Sequence, residues 1–121
     1  MEQTLFNRHG SPVAYIDYSD GSTIYMWNGQ PVAYLSNNNT VYGFNGQHIG
    51  WFENGIVWSL QGEKCGFIDQ TCPVYTKYEP YKSYKRYKPY KSYQQYPRYK
   101  PYYKSYVSAI LLEQLLITGA K

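Results

Sequence analysis

The sequence has few of the residues that enzymes use to bind metals and to transfer protons. Its 121 residues include only two cysteines, two histidines and eight carboxylates. Two cysteines cannot complete a tetrahedral zinc site by themselves, and His9 and His48 fall at unrelated positions of the repeat described below. An active site needs a nucleophile, a base or a metal among converging polar groups. We therefore predict no enzyme, with no catalytic, cofactor-binding or metal-binding residues.

The sequence also lacks long apolar runs. No stretch reaches the roughly 18 apolar residues that a membrane span requires. Met1 leads directly into the first repeat, without the basic start and apolar run of a secretory signal. We therefore expect a cytoplasmic protein that does not span a membrane. In such a reducing compartment Cys65 and Cys72 are expected to remain thiols, with Cys65 in the core, although whether the two ever pair stays open.

What the chain does contain is a fourfold repeat. Four short phrases, GSPVAYI, GQPVAYL, GQHIGWF and GEKCGFI, follow one another at nearly constant intervals. An aromatic residue stands four positions before each phrase and follows a leucine, isoleucine or valine. Self-similarity at a nearly fixed period indicates one small structural unit built several times. The phrases begin at Gly10, Gly29, Gly46 and Gly62.

Each copy of the repeat is predicted to form a β-hairpin. Asn28-Gly29 and Asn45-Gly46 are strong hairpin signals, because both residues of a two-residue type I′ turn need positive φ. The segment after each glycine alternates between two apolar faces, as in a strand buried on both sides. On this alternation Val32 shares a face with Tyr34.

One position of this downstream strand is always small, although its neighbours are large. A small residue allows close approach of another backbone, which predicts that equivalent strands crowd a shared axis. The next residue is always aromatic, and we assign Tyr34, Trp51 and Phe67 to the core rather than to a ligand platform. The prediction is an all-β fold of four hairpins around a pseudo-fourfold axis. The small residues are Ala14, Ala33, Gly50 and Gly66.

The repeats resemble a known family. The series FNRHGSPVAYI, YMWNGQPVAYL, YGFNGQHIGWFENG and WSLQGEKCGFI is similar to the bacterial 4-fold beta flower proteins. The likeness covers about residues 4–70 and leaves the tail from Val74 outside. It implies a compact all-β body of four similar hairpins, and it carries over no catalytic residues.

Beyond the repeats the chain changes character. Tyrosine stands at every third position from Tyr75 to Tyr102, and four prolines interrupt residues 74–106. These prolines exclude a continuous α-helix or a central strand. A polyproline II helix has three residues per turn, so the tyrosines would line one edge and the following lysines a second edge. We predict an arm over residues 74–106 that is polyproline II-like or disordered.

The net charge of +4 conceals an asymmetry between body and arm. Residues 1–73 carry two basic and six acidic side chains, a net charge of −4, whereas residues 74–106 carry nine basic and one acidic, a net charge of +8. A basic arm on an acidic body is typical of an interaction segment. The arm can lie along the acidic body of its own or a neighbouring subunit. Alternatively, its tyrosines stack on bases while its lysines neutralise phosphates.

The end of the chain is predicted to be a short amphipathic helix over residues 107–118. Ser108 is the expected N-cap and Gly119 the stop signal. Four leucines form an apolar stripe that would dock on the body or on a twin helix. The predicted segments are a four-hairpin domain, the low-complexity arm and this helix, at residues 1–73, 74–106 and 107–121.

Together these observations favour a non-enzymatic structural or assembly module whose arm makes multivalent protein contacts. The expected partner is a second copy, in a homo-oligomer, or another acidic protein. Binding of nucleic acid or another polyanion is the first alternative, and glycan binding by surface aromatic residues is the second. The arm as a solvated linker also stays open. The candidate binding residues are Tyr81, Lys82, Tyr84, Lys85, Tyr87, Lys88, Tyr90, Lys91, Tyr99 and Lys100.

Overall fold

The structure is a computed structural model that describes residues 1–37 and 39–120. Its body is a closed barrel of eight antiparallel strands, each hydrogen-bonded to the next and the last to the first. Consecutive strands form four hairpins, so the predicted all-β fold of four hairpins is confirmed. The strands are β1 (Glu2–Phe6), β2 (Pro12–Asp17), β3 (Thr23–Met26), β4 (Pro31–Ser36), β5 (Thr40–Gly43), β6 (His48–Glu53), β7 (Ile56–Trp58) and β8 (Lys64–Phe67).

The four hairpin turns share one conformation, which is not the predicted two-residue type I′ turn. In the second hairpin the amide of Gly29 donates to the carbonyl of Met26 at 2.9 Å, and the amide of Met26 donates to the carbonyl of Gln30 at 2.8 Å. The loop therefore has three residues, and among them only Gly29 takes positive φ, at 92°. A type I turn followed by a left-handed glycine produces such a loop. The type I′ conformation occurs instead at Asn54-Gly55, between β6 and β7, where φ is 56° and 74°.

A bulge at the start of each downstream strand overturns the predicted alternation of faces. In the second hairpin Tyr25 pairs with Pro31 and Ile24 pairs with Ala33, so Val32 is an extra residue. Because a bulge re-aims a side chain, Val32 and Ala33 both join the interior cluster although they are adjacent in sequence. Val32 therefore does not share a face with Tyr34. Equivalent register shifts occur in the other three hairpins.

The barrel has an aliphatic interior and an aromatic outer wall. Leu5, Ile16 and Val41 are fully buried members of the interior cluster. Residues next to them in sequence point to the opposite face of the sheet, where aromatic residues are register partners across each boundary between neighbouring hairpins. We call these boundaries seams, and each of their eight aromatic residues is at most 6% exposed. The seam pairs are Tyr15 with Tyr25, Tyr34 with Tyr42, Trp51 with Trp58 and Phe6 with Phe67.

Close approach does occur at the small positions, but with different neighbours from those predicted. A Cβ at Gly50 would overlap the carbonyl oxygen of Trp58 on the adjacent strand. A Cβ at Gly66 would lie 2.7 Å from the Leu112 side chain, which belongs to the C-terminal helix. The helix therefore occupies space in which equivalent strands were expected to approach one another.

The C-terminal helix closes the barrel at the end where the hairpin turns lie. Helix α1 spans Leu112–Ile117, and a 3-10 turn follows at Thr118–Ala120. Leu112 and Leu116 are fully buried in the interior cluster. The side chain of Asn7, in the first turn, donates to the carboxylate of Glu113 at 3.2 Å.

The predicted start of this helix was wrong. Ser108 is not its N-cap, because Val107 forms a bridge with Lys64 at the start of β8 and the amide of Ser108 donates to the Lys64 carbonyl at 2.7 Å. The helix begins only at Leu112, and the amide of Leu111 donates to the Gln114 side chain at 2.9 Å. Gly119 lies within the 3-10 turn rather than beyond the helical residues. Within residues 1–37 and 39–120, no helix has the length and apolar character needed to cross a membrane.

Candidate interaction surface: the tyrosine belt

Residues 74–106, which we call the belt, run across all four hairpin turns in chain order. One belt amide donates to the carbonyl oxygen of the glycine in each turn, at 2.8 to 3.0 Å. Successive donors are nine residues apart, so three turns of a three-residue repeat span one hairpin. The donor and acceptor pairs are Lys77 and Gly10, Arg86 and Gly29, Gln95 and Gly46, and Lys104 and Gly62.

The turn glycines also make room for the belt backbone. A Cβ at Gly29 would overlap the carbonyl oxygen of Tyr84, and one at Gly62 would lie 2.8 Å from the carbonyl oxygen of Tyr102. The four repeat glycines thus have two structural reasons to be glycine, positive φ and the passage of the belt.

The lysine edge of the belt faces the acidic body of its own chain. Belt ammonium groups approach body carboxylates at 2.5 to 3.0 Å, and the ammonium of Lys91 lies 4.1 Å from the ring centroid of Tyr34. A surface ion pair contributes only about 0–1 kcal/mol, so the attachment depends on the whole series. The ion pairs are Lys82 with Glu2, Lys85 with Glu2 and Asp17, Lys88 with Asp20, and Lys100 with Glu53.

Three of the belt lysines change the protonation equilibria of the carboxylates they contact. Hydrogen bonds from Lys82, Lys88 and Lys100 hold the pKa values of the carboxyls they contact below the ordinary range. The lowered pKa values belong to Glu2, Asp20 and Glu53.

Near the Trp51–Trp58 seam, two contacts with the belt involve residues that sequence reasoning did not select, Tyr103 and His48. The ring of Tyr103 stacks on Trp58 with centroids 4.0 Å apart, and its hydroxyl donates to Glu53. His48 is buried on β6, and its Nδ1 accepts a hydrogen bond from the amide of Arg98 at 3.0 Å. Burial lowers the pKa of His48. The signal for Tyr103 was the Tyr102-Tyr103 doublet, because a second tyrosine there falls outside the three-residue period and faces the barrel.

The tyrosine edge of the belt faces outward. Ten side chains spaced three residues apart are 84% to 101% exposed, and within residues 1–37 and 39–120 none of them makes a side-chain hydrogen bond. We call them the outer tyrosines. They are Tyr75, Tyr78, Tyr81, Tyr84, Tyr87, Tyr90, Tyr93, Tyr96, Tyr99 and Tyr102.

The structure therefore divides the predicted binding residues into two groups. Tyr81, Tyr84, Tyr87, Tyr90 and Tyr99 point to solvent and are free to meet another molecule. The five predicted lysines instead contact body carboxylates or an aromatic ring of the same chain. The prediction that the arm lies along an acidic body describes this arrangement, with the body of its own chain as the surface.

The two cysteines lie in different environments, Cys65 in the core and Cys72 partly exposed. Cys65 and Cys72 are both free thiols, and burial raises the pKa of Cys65 to about 12. A buried thiol with a raised pKa is a poor nucleophile. In the described part of the chain, no three His, Cys, Asp or Glu residues are grouped so as to hold a metal ion.

Comparison with known proteins agrees with this architecture. The family model for the 4-fold beta flower protein matches residues 3–116. The match extends past the residues expected from the repeats and includes the belt and most of helix α1. Neither a curated protein nor a solved structure matches the chain. Four equivalent hairpins and a match over almost the whole length lead to one conclusion: the chain belongs to the 4-fold beta flower family.

Proposed function

We propose that this protein is a non-enzymatic assembly module that presents the outer tyrosines to other proteins. The observation that carries the proposal is their exposure, which reaches 84% or more at all ten positions. The belt is held to the barrel by backbone hydrogen bonds and lysines, so the outer tyrosines are not needed for its attachment.

The physical chemistry of tyrosine supports a protein partner. A tyrosine ring buries a large apolar area at low conformational cost, and its hydroxyl finds a hydrogen-bond partner at the rim of an interface. Tyrosine and arginine are enriched in protein interfaces. Arg86 and Arg98 lie exposed on the same belt. Each contact is weak alone, but several made together produce firm binding through effective concentration.

The partner that fits best is a second copy of the chain. Every copy carries the same row of outer tyrosines around its barrel, so two belts can meet through identical residues, as in a symmetric homodimer. Another acidic protein stays an outcome of the test below, because the exposed arginines would favour it.

Polyanion binding has less support than assembly. Phosphate contacts require free cations, and Lys82, Lys85, Lys88 and Lys100 already contact carboxylates of the body. Glycan binding would use the same outer tyrosines, so the experiment must distinguish sugars from proteins.

Sedimentation velocity over a range of protein concentrations tests the proposal. The full chain should associate. A variant that carries Tyr81→Ser, Tyr84→Ser, Tyr87→Ser and Tyr90→Ser should associate at least tenfold more weakly, without a lower melting temperature. The matched control replaces the same four tyrosines with phenylalanine, which keeps the ring and should keep association.

Two results would contradict the assembly proposal. One is a wild-type protein that stays monomeric and captures no acidic protein. The other is tyrosine-dependent binding of RNA, DNA or a glycan array with no protein contact.

A further inference from the structure

The buried seam residues and the outer tyrosines differ in which aromatic residue types they contain. The buried seam pairs include two Tyr–Tyr pairs, one Trp–Trp pair and one Phe–Phe pair, so these positions accept any aromatic ring. The ten outer positions hold tyrosine alone, with neither phenylalanine nor tryptophan. Because these rings face solvent, packing against the barrel does not explain the choice. The group that all ten positions share, and that a phenylalanine ring lacks, is the phenol hydroxyl.

We propose that the outer tyrosines are sites of oxidative cross-linking between copies of this protein. The inference rests on the proposed function, because contact between the belts of two copies is what brings their phenols together. The co-reactant is a one-electron oxidant of the peroxidase class, used with hydrogen peroxide.

The reaction joins two phenol rings and consumes one peroxide. Each tyrosine loses one electron and its phenolic proton and becomes a neutral tyrosyl radical. A carbon–carbon bond then forms between ring carbons ortho to the two oxygens. The hydrogens on those carbons move to the oxygens as the rings regain aromaticity. Hydrogen peroxide accepts the two electrons and two protons and becomes two molecules of water.

The geometry of the belt favours coupling between copies over coupling within one. Consecutive tyrosines of a three-residue repeat are about 9 Å apart along the backbone. The belt runs around the outside of the barrel past all four turns, so it is convex and its neighbouring side chains spread apart. Belts of two copies can instead lie edge against edge. Ten sites on each copy allow a network of many copies rather than dimers alone.

The chain also supplies internal controls for selectivity. Tyr15, Tyr25, Tyr34 and Tyr42 are only 1% to 3% exposed, so an oxidant and a second phenol cannot reach them. Tyr18 and Tyr106 are 44% and 52% exposed and lie outside the outer row. Cross-links specific to the outer tyrosines must therefore avoid these six residues.

The test treats the full-length protein with a haem peroxidase and hydrogen peroxide. Denaturing gels, dityrosine fluorescence and mass spectrometry of peptides follow the products. We expect covalent multimers larger than dimers, with dityrosine only at outer tyrosines. A variant with phenylalanine at all ten outer positions should lose at least nine-tenths of the dityrosine while keeping its melting temperature and its association in sedimentation.

The outcomes separate this inference from the proposed function. Association without coupling, coupling confined to one copy, or dityrosine mapped to Tyr18 or Tyr106 overturns the cross-linking inference and leaves the assembly proposal standing. Coupling at the outer tyrosines in a protein that does not associate beforehand overturns the assembly proposal instead. Equal multimer formation by the phenylalanine variant also overturns the inference.

Discussion

The barrel and the belt both arise from short sequence repeats, yet the two repeats maintain their shapes in different ways. The barrel repeats hold together by burying apolar side chains on both faces of their strands. The belt buries almost none of its tyrosines and depends on evenly spaced hydrogen bonds and ion pairs to the barrel. The comparison shows that a low-complexity segment can be ordered by register with a symmetric body rather than by a core of its own.

The largest difference between the two regions is expected when one aromatic ring is removed from each. Trp51 is 3% exposed and packs against the ring of His48 at 4.7 Å. Trp51→Ala should lower the free energy of unfolding by about 3–5 kcal/mol, measured by urea denaturation. Tyr87→Ala is the control, because a fully exposed ring should change stability by no more than about 0.5 kcal/mol. Equal losses for the two variants would remove the distinction between buried seams and exposed belt.

A smaller effect is expected at the contact between belt and turn. Gly29→Ala places a methyl group against the carbonyl oxygen of Tyr84 and adds strain at a φ of 92°. The matched control is Gly21→Ala, because Gly21 also has positive φ, at 62°, but has open space around it. Backbone strain alone should cost about 1–2 kcal/mol in the control.

Gly29→Ala should cost more than this control, because it also displaces the belt. Hydrogen exchange should report faster exchange of the Arg86 amide, with the Gln95 amide at the next turn as the internal reference. Unchanged exchange at Arg86 would show that the belt does not depend on these glycines.

The smallest effect is expected from acid. The pKa values of Glu2, Asp20 and Glu53 are lowered by lysine hydrogen bonds, so these carboxylates stabilise the native state above their ordinary pKa values near 4. This contribution is lost as pH falls through the lowered values. Limited proteolysis of the belt should therefore accelerate below about pH 4, and adding salt at neutral pH should weaken the same contacts.

The control for this acid effect removes the lysines. A variant that carries Lys82→Gln, Lys88→Gln and Lys100→Gln should show a flatter pH dependence of belt proteolysis below pH 4. Its belt should also be cleaved faster at neutral pH. Burial lowers the pKa of His48, so its contribution is lost in a separate window below about pH 6.5. If the triple lysine variant kept the same acceleration of belt proteolysis below pH 4, the ion pairs would be excluded as its cause.

Much of the barrel could be read from the sequence, because the turn glycines and strand residues repeat locally. The turn type was wrong since Asn28-Gly29 fits both a two-residue and a three-residue loop, and only the pairing of the strands distinguishes them. The bulge at Val32 was invisible for the same reason, because it is a property of two strands and not of one. The helix start was wrong because the chain at Val107 and Ser108 pairs with the start of β8 before the helix begins.

The belt shows a different limit of sequence reasoning. The three-residue period predicted two edges, but which edge faces inward depends on where the body places its carboxylates. The nine-residue spacing was present in YTKYEPYKS and YKRYKPYKS, yet its meaning depends on the distance between successive turns in the folded barrel. His48 was missed because its role as acceptor for the Arg98 amide requires the belt to be in place.

The nine-residue spacing also means that the length of the belt determines where the C-terminal helix reaches the barrel. The last turn contact, at Lys104, leaves only a short segment before Leu112 enters the barrel interior. Removing one complete nine-residue unit, such as residues 84–92, would preserve every local pattern of the belt. The helix would nevertheless reach the barrel one hairpin before the position where it now packs. The length of the belt, although its sequence is of low complexity, is therefore fixed by the circumference of the barrel across the four hairpin turns. We therefore expect only chains with a belt of the right length to insert Leu112 and Leu116 into the barrel interior.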